Sequence, residues 1–366
     1  MGKVPEEPKP FLSSEKELRP SDLYSPDSQN SELPPEQPRA LPLNTEQQSE
    51  EGGMSWIPIA GYNPVYRLFL GGGFFYSKPS YRFGIHGVVT FDSVYQVMQS
   101  WENRLNQFFR FNYDFEYSKG FEPYYGDGGE TKVADGVNIW GDKFLVTPRF
   151  IFSIDPFLDV GFFIDARNRG EHYVEGRPQL KLFPNETTIG LGVFAEIDKR
   201  DHKEAPTAGF VFGGDFTIVP SSFTTRNDSP GFTLMGGHFA IYQEMVAGVI
   251  AAVKLSGGVT FGTPTYLWKY RLGGTDLLRG YYDNRFRGKK FYLQQTELRA
   301  PLLKFLELAG FVGFGDATDH EFTQAKMAYG IGARIGLPPD FVNKIRIDYG
   351  VGRDQSGVFV DFGYPF

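Results

Sequence analysis

A strict alternation of apolar and polar residues limits the possible folds of this chain more than any other feature. From Phe109 to Tyr117 every odd position is Phe or Tyr, and every even position between them is Arg, Asn, Asp or Glu. Successive side chains of a β-strand point to opposite faces, so this pattern predicts a strand with one apolar and one polar face. Residues 249–261 and 344–351 alternate in a similar way. With 44 glycines and an aromatic content of 16%, the pattern predicts a mostly β protein.

The distribution of aromatic and charged residues along these segments distinguishes two kinds of β architecture. A soluble sandwich also alternates, but its polar face meets solvent and its apolar face needs a second sheet. Here the apolar faces end in aromatic residues and the polar faces carry charges in mid-strand. That arrangement is expected when lipid surrounds the sheet and water fills its interior. We therefore predict a transmembrane β-barrel.

The alternation also allows the strands to be counted. Bacterial single-chain barrels close with an even number of antiparallel strands. Fifteen segments are recognisable, so we expect one more within 119–138 or 169–184. The predicted fold is all-β, a sixteen-stranded antiparallel transmembrane barrel formed by residues 56–366. The recognisable segments lie near 66–77, 80–91, 93–102, 107–118, 139–153, 157–167, 186–198, 207–219, 231–244, 247–261, 291–300, 305–315, 325–337, 342–353 and 356–366.

Composition and motif content argue against several functions. No apolar run approaches the roughly 18 residues of a spanning helix. The absence of cysteine removes disulfides and thiolate sites, and a net charge of -7 argues against a nucleic-acid surface. The five histidines show no metal spacing, and no Gly-x-Ser-x-Gly motif is present. We expect neither an enzyme nor a bound metal or other cofactor.

Residues 1–55 differ in composition from the rest of the chain. They are rich in Pro, Glu, Ser and Gln and nearly free of aromatic residues, so they cannot bury enough apolar area to offset the entropy of ordering. We predict a disordered tail, and a tethered peptide that plugs the barrel or docks a partner is the alternative. The N-terminus has no apolar stretch of signal-peptide type, so we expect the sequence to be the mature chain.

A long glycine-rich loop, residues 271–290, separates two alternating segments. A loop of this length in a compact fold is normally functional or disordered. Its centre reads Leu278-Arg279-Gly280-Tyr281, preceded by Leu272-Gly273-Gly274-Thr275. Residues 295–302 read Gln-Thr-Glu-Leu-Arg-Ala-Pro-Leu, and residues 310–315 read Gly-Phe-Val-Gly-Phe-Gly. Upstream, Asp198-Lys199-Arg200-Asp201 is followed by Pro206-Thr207-Ala208-Gly209.

These motifs resemble those of the BamA-like outer-membrane translocases, a superfamily that includes BamA, TamA and the two-partner-secretion transporters. The resemblance covers residues 56–366 and is closest over 262–366. It implies a sixteen-stranded barrel with the loop folded into the lumen. The chain departs from most relatives because it has no sequence for periplasmic polypeptide-transport-associated domains.

The resemblance also implies that a lumen-facing acid binds Arg279. Strand parity places Glu297 and Arg299 inward when Leu298 faces lipid, so Glu297 is the predicted main partner. Relatives carry Phe-x-Asp-x-Gly on the next strand, but here the pattern reads Phe311, Gly313, Gly315 and lacks the acid. The substitutes considered for that acid are Asp348 and Asp361. The alternative is that Arg279 is a solvated loop residue.

The C-terminus resembles the assembly signal of bacterial outer-membrane proteins. Phe362, Tyr364 and Phe366 alternate with other residues up to the end of the chain, and we expect them to continue the last strand with their rings at the membrane interface. An ordinary edge strand is the alternative. Residues 71–73 are all glycine, and they are expected to weaken a first strand that pairs with the last one. In relatives this seam is thought to open laterally.

Function follows from the resemblance. It implies a bacterial outer-membrane barrel that takes part in insertion, assembly or translocation of proteins at that membrane. The expected partners are outer-membrane lipid and other outer-membrane or periplasmic assembly proteins, and no nucleic acid. The alternative is a passive porin-like channel or a structural barrel.

Overall fold

The computed structural model describes residues 53–203, 205–226, 229–337 and 344–366, which form a closed antiparallel barrel. Sixteen strands close the wall, with β1 beside β18. Among the described residues, no helix is long and apolar enough to cross a membrane. The wall strands are β1 Gly53–Asn63, β2 Arg67–Lys78, β3 Tyr81–Thr90, β4 Tyr95–Arg104, β5 Phe109–Tyr124, β6 Val137–Asp155, β7 Leu158–Val174, β8 Glu186–Asp198, β9 Gly209–Val219, β10 Phe232–Glu244, β11 Ile250–Gly262, β14 Lys290–Leu303, β15 Leu306–Thr318, β16 Lys326–Gly336, β17 Lys344–Val351 and β18 Ser356–Phe362.

The alternation of the sequence becomes the two faces of this wall. On β14 the side chain of Leu298 points outward and is 50% exposed, whereas Glu297 and Arg299 point inward and are buried. Apolar side chains cover the outer face in the same way on other strands, including Phe212, Leu255, Leu308 and Ile331. Charged side chains are thus kept in the lumen, and the exposed outer face is apolar, as lipid requires.

The sixteenth strand is β1, so its prediction within 119–138 or 169–184 was wrong. The sequence Gly53-Met-Ser-Trp-Ile-Pro-Ile-Ala-Gly-Tyr-Asn63 contains a proline and has apolar residues on both faces, which hides its strand period. Part of each stretch searched for the extra strand belongs to a longer neighbour, because β5 extends to Tyr124 and β7 to Val174. The predicted tail overlaps β1 at residues 53–55, and residues 1–52 lie outside the described part of the chain.

The seam where the barrel closes differs from the prediction. The three consecutive glycines lie in β2, not in the strand that meets β18, and they pair with β1 and β3. The closing strand β1 pairs with β18 at one position, Tyr62 with Val360. In contrast, β1 pairs with β2 at every residue from Gly53 to Asn63. The weak seam therefore comes from short pairing between β1 and β18.

The loop between β11 and β14 folds into the lumen, as predicted. It contains a two-stranded sheet in which β12, Tyr270–Leu272, pairs with β13, Phe286–Gly288. Its apolar side chains are buried against the inner wall of β9, β10 and β14 to β16, and this contact is the largest hydrophobic core of the described structure. The buried loop residues include Leu272, Leu278, Tyr281 and Phe286, and the wall contributes Phe291, Leu293, Ala317 and Ala328.

Candidate functional site

The predicted motif forms a sharp turn at the tip of the luminal loop. Leu278 and Gly280 have positive φ angles of 53° and 122°, and the backbone of Gly280 lies against that of Val351. A side chain at Gly280 would overlap Val351, so the close approach requires glycine. The hydroxyl of Tyr281 donates to the carbonyl of Met327 at 3.1 Å and accepts from the amide of Arg353 at 3.1 Å. These contacts fix the tip against β16 and the end of β17.

The turn places Arg279 in a fully enclosed site between β14, β15 and β17. Its Nη2 lies 2.6 Å from Glu297 Oε2, and its Nη1 lies 2.7 Å from Asp348 Oδ2. The guanidinium also stacks over Phe311, with Cζ 3.8 Å from the ring centroid. The predicted Arg279–Glu297 contact is confirmed, and Asp348 supplies the acid that residue 313 lacks. The alternative of a solvated Arg279 was wrong.

Three further arginines extend this site. Glu297 also binds Arg299 at 2.9 Å and Arg334 at 3.1 Å. Asp348 binds Arg334 at 2.5 Å, and Arg346 lies 3.8 Å away. We call this set the anchor cluster, and its members are the cations Arg279, Arg299, Arg334 and Arg346 and the carboxylates Glu297, Asp348, Asp276 and Asp361.

Asp361 does not bind Arg279, so it was wrong as a substitute for the missing acid. Its carboxylate lies 3.2 Å from Arg346, which also contacts Asp276 of the loop at 2.7 Å. The strand order explains the difference, because β18 is one strand farther from the tip of the loop than β17. Asp348 on β17 is therefore the acid that contacts Arg279.

The glycines on β15 make room for the loop. A Cβ at Gly313 would lie 3.2 Å from the Leu278 side chain, and one at Gly315 would lie 3.0 Å from that of Leu272. Both glycines therefore face the lumen, as strand parity predicted. An acid at position 313 would need the space that Leu278 fills, which is consistent with the acid coming from Asp348.

The last four residues leave the wall, so the prediction that they extend the last strand was wrong. The wall strand β18 ends at the half-buried Phe362, and Gly363 turns the chain inward with φ 73°. We call residues 363–366 the C-terminal tail. In the lumen, the rings of Tyr364 and Phe366 are buried against protein side chains, which rings at the membrane interface would not contact. Whether Phe362, Tyr364 and Phe366 act as an assembly signal stays a prediction.

The C-terminal tail packs against the inner wall near the turns that follow β8, β10 and β14. Phe366 is 3% exposed and belongs to a small core with Val211, Ala240, Tyr242 and Ala252. Its carbonyl accepts a hydrogen bond from Arg299 at 3.0 Å, and the same guanidinium stacks over Tyr364 at 4.0 Å. The Tyr364 hydroxyl donates to Glu307 at 2.7 Å. The tail therefore partly covers this end of the lumen.

The second motif forms the turn between β8 and β9 at the same end. Asp201 accepts hydrogen bonds from the amides of His202, Thr207 and Ala208 and from the Thr207 hydroxyl. Burial alone would raise the pKa of Asp201, but these hydrogen bonds outweigh it and hold the pKa below its ordinary value. The carbonyl of Pro206 accepts from Arg299 at 3.4 Å. Arg299 thus joins this turn, the C-terminal tail and Glu297.

Sequence reasoning missed some members of the anchor cluster. Arg334 contacts both Glu297 and Asp348, and its role depends on the pairing of β16 with β15 and β17. Strand parity gave Arg346 an inward direction but no partner. Only the fold shows that it joins Asp276 in the loop to the wall.

The opposite side of the lumen is open. A cavity of about 600 Å³ lies between the luminal loop and the inner wall, and it extends to the C-terminal tail. Polar and charged side chains dominate its lining on β4 to β7, including Glu102, Asn112, Glu116 and Lys143. The luminal loop and its anchor therefore fill part of the lumen, and water has access to the remaining cavity.

This architecture defines a structural class, the closed sixteen-stranded barrels whose lumen holds a loop bound through a buried arginine. No protein-family model and no curated protein matches the sequence. BamA from Haemophilus ducreyi lacking POTRA domains 1-3 has a similar structure, with a TM-score of 0.59 at 12% identity, over 86% of this chain and 70% of that one. The chain therefore has the same barrel fold as this BamA structure.

Two CdiB structures are also similar. CdiB from Acinetobacter baumannii has a TM-score of 0.57 at 9% identity, over 86% of this chain and 60% of that one. CdiB from Escherichia coli has a TM-score of 0.59 at 10% identity, over 85% of this chain and 62% of that one. The chain thus spans less than two thirds of the length of either CdiB structure.

Proposed function

We propose that the protein resides in the bacterial outer membrane and promotes the insertion or assembly of other outer-membrane proteins at its β1–β18 seam. The observation that carries this proposal is the single paired position, Tyr62 with Val360, between the two closing strands. Within the described residues, the rest of β1 pairs on its β2 side, and in this proposal its other edge is available. Such an edge is a template for an incoming strand.

The position of the C-terminal tail supports this proposal. If residues 363–366 continued β18, they would lie along the first part of β1 and cover its edge. Instead Phe366 is buried in the lumen beside Tyr242. Backbone groups at the edge of β1 are left for another chain to bind, and hydrogen bonds to that edge stabilise a strand inside the membrane.

The luminal loop connects the closing strands to the anchor cluster. Asn63, at the end of β1, donates a side-chain hydrogen bond to Asp283 of the loop. On the other side of the seam, Arg346 binds both Asp276 of the loop and Asp361 of β18. The loop therefore contacts both sides of the seam, and in this proposal it limits how far the two strands separate.

The test is a reversible lock across the seam in full-length protein reconstituted into liposomes. The chain has no cysteine, so the double variant Tyr62→Cys/Val360→Cys introduces a single disulfide between directly paired positions. We expect the wild type to accelerate folding of a small eight-stranded barrel added in urea. The oxidised lock should abolish that acceleration, and reductant should restore it.

The matched control is Leu308→Cys/Ala333→Cys, which locks the paired strands β15 and β16 away from the seam. We expect it to leave the acceleration unchanged. Equal activity of the oxidised and reduced seam lock would refute a role of the seam. If wild-type protein folds the client no faster than empty liposomes do, the insertion function itself is refuted.

A passive channel is the second candidate, and the cavity of about 600 Å³ favours it. The luminal loop argues against a channel, because this loop is packed against the wall of β9, β10 and β14 to β16. Planar-bilayer recordings separate the two candidates. A channel should conduct steadily as wild type, whereas the proposed function predicts steady conductance only after residues 273–285 are deleted.

A further inference from the structure

A second group of charges surrounds Glu122 on the side of the lumen opposite the anchor cluster. The Glu122 carboxylate lies 2.7 Å from Arg287, 3.2 Å from Arg271, 3.2 Å from Arg169 and 3.6 Å from Lys143. It also accepts a hydrogen bond from the Tyr266 hydroxyl at 2.6 Å. We call these residues the Glu122 cluster. The wall strands β5, β6 and β7 contribute Glu122, Lys143 and Arg169, and the luminal loop contributes the rest.

The Glu122 cluster differs from the anchor cluster in its charge balance. In the anchor cluster, equal numbers of guanidinium and carboxylate groups face each other. In the part of the chain that the structure describes, Glu122 is the carboxylate within ion-pair distance of Lys143, Arg169 and Arg287. Several cations thus share one carboxylate, and the cluster carries excess positive charge in a region partly shielded from water.

The nearby acids do not correct this imbalance. Asp142 lines the same cavity, but within the described residues it forms no ion pair and lies beside Gly170. Asp283 also lines the cavity, and its carboxylate accepts from Asn63. Glu186 is paired with Arg169 across β7 and β8, but the described residues show no ion pair between them. None of these carboxylates is in ion-pair contact with the cluster.

The cations differ in how much binding capacity they keep. Arg287 is occupied by Glu122 and by the carbonyl and hydroxyl of Tyr266. Arg169 stacks on Tyr266 at 4.2 Å and donates a hydrogen bond to Glu122 at 3.2 Å. Lys143 has a side chain that is 32% exposed. Both Lys143 and Arg169 line the open cavity, so a ligand there can reach them.

We propose that the cavity face of the Glu122 cluster binds an oxyanion, specifically a phosphate group. Guanidinium groups present planar donors that match phosphate oxygens, and a lysine adds a compact positive charge. Lys143 and Arg169 supply the direct contacts, and Arg271 contributes positive charge from the loop side. The phosphate belongs either to a soluble molecule in the lumen or to a lipid headgroup that enters it.

The test uses inorganic pyrophosphate as the probe and the full-length protein in a phosphate-free, uncharged detergent. Isothermal titration calorimetry at constant ionic strength should show saturable binding to the wild type. We expect Lys143→Gln and Arg169→Gln each to raise Kd by about tenfold or more, as for loss of a hydrogen bond to a charged group. Resistance of each variant to heat in detergent, judged by gel mobility, confirms that the barrel is intact.

The matched control is Lys254→Gln, which removes a lysine from the same cavity next to Phe366 instead of Glu122. We expect it to change Kd by less than about twofold. Absence of saturable binding to the wild type, or equal losses in all three variants, would overturn the proposal.

A competition experiment identifies the source of the phosphate. Short-chain phosphatidic acid is added to the pyrophosphate complex below its micelle concentration. Displacement assigns the site to a lipid headgroup, and retention of pyrophosphate assigns it to a soluble phosphate compound. Saturable pyrophosphate binding that depends on Lys143 supports the site in both cases.

Discussion

Removal of Arg279 is the most informative perturbation of the luminal loop. Arg279→Ala deletes the guanidinium that binds Glu297 at 2.6 Å and Asp348 at 2.7 Å in a buried site. Neither acid is left alone, because Glu297 keeps Arg299 and Arg334, and Asp348 keeps Arg334. We therefore expect the free energy that holds the loop against the wall to fall by an amount near the lower end of the range for breaking a buried ion pair, which is about 3–5 kcal/mol.

Removal of the acid partner, Glu297, should destabilise the docked loop more than removal of Arg279. Glu297→Ala removes the one carboxylate that contacts Arg279, Arg299 and Arg334, and all three guanidinium groups remain in the lumen. Like charges then meet in a site with little water, so the loss should lie near the upper end of the same range, about 5 kcal/mol. The order of the two variants thus tests the asymmetry of the anchor cluster.

Thiol labelling measures the opening of the loop directly. The chain has no cysteine, so Leu272→Cys in every background supplies a single thiol, at a fully buried loop position beneath Gly315. Its reaction with a maleimide requires the loop to leave the wall. A loss of about 3 kcal/mol should accelerate labelling by roughly 100-fold, since each 1.4 kcal/mol corresponds to a factor of ten. His238→Gln, on β10 beside Glu196, serves as the control and should leave the rate unchanged.

The double variant decides whether the two residues act through a shared contact. Arg279→Ala/Glu297→Ala should label no faster than the faster single variant, because residues in one ion-pair network are not additive. A labelling rate unaffected by Arg279→Ala would refute the anchor, and so would effects that simply multiply in the double variant.

The remaining predictions concern the C-terminal tail, the turn between β8 and β9 and the N-terminal residues. Phe366→Ala should destabilise the folded barrel by about 3–5 kcal/mol in urea titrations, whereas the half-buried Phe362 should lose less; equal losses would contradict the lumen position of Phe366. Asp201→Asn should destabilise the barrel at neutral pH and match the wild type in acid, because stabilisation by a carboxylate of lowered pKa is present above the ordinary value near 3.8 and is lost as pH falls through the lowered pKa. A constant difference in thermal unfolding from pH 7 to pH 2 would contradict that role. Deletion of residues 1–52 should leave the circular dichroism of the barrel unchanged, and loss of the β signal would contradict this expectation.

Strand parity explains why much of the site was predictable. Inward positions for Glu297 and Arg299 follow from their spacing along β14, and that of Phe311 from its position along β15, because side chains alternate whatever the neighbouring strand is. The apolar face that includes Leu298 indicates which face of β14 points out of the barrel. The motif then placed Arg279 in the lumen, and the structure confirms its contact with Glu297.

Parity could not choose between Asp348 and Asp361. Both lie on the polar face of their strands, and both were possible acids for the lumen. The choice depends on which strand lies nearest the tip of the loop, which is set by the order β15, β16, β17, β18 around the closed wall. The Glu122 cluster was missed for the same reason, because its members come from β5, β6, β7 and the loop.

The sequence by itself determined the β class and the faces of most strands, because these depend on residues close together in the chain. The entry of the loop into the lumen was implied by the resemblance of its motif to those of known barrels. The tertiary structure decided that β1 begins at Gly53, that it meets β18 at one position and that the C-terminal tail turns inward at Gly363. Those features depend on closure of the barrel, which brings the two ends of the wall together. Pairing between such distant segments depends on the geometry of the whole sheet, and the alternation within one strand does not indicate which strand it pairs with.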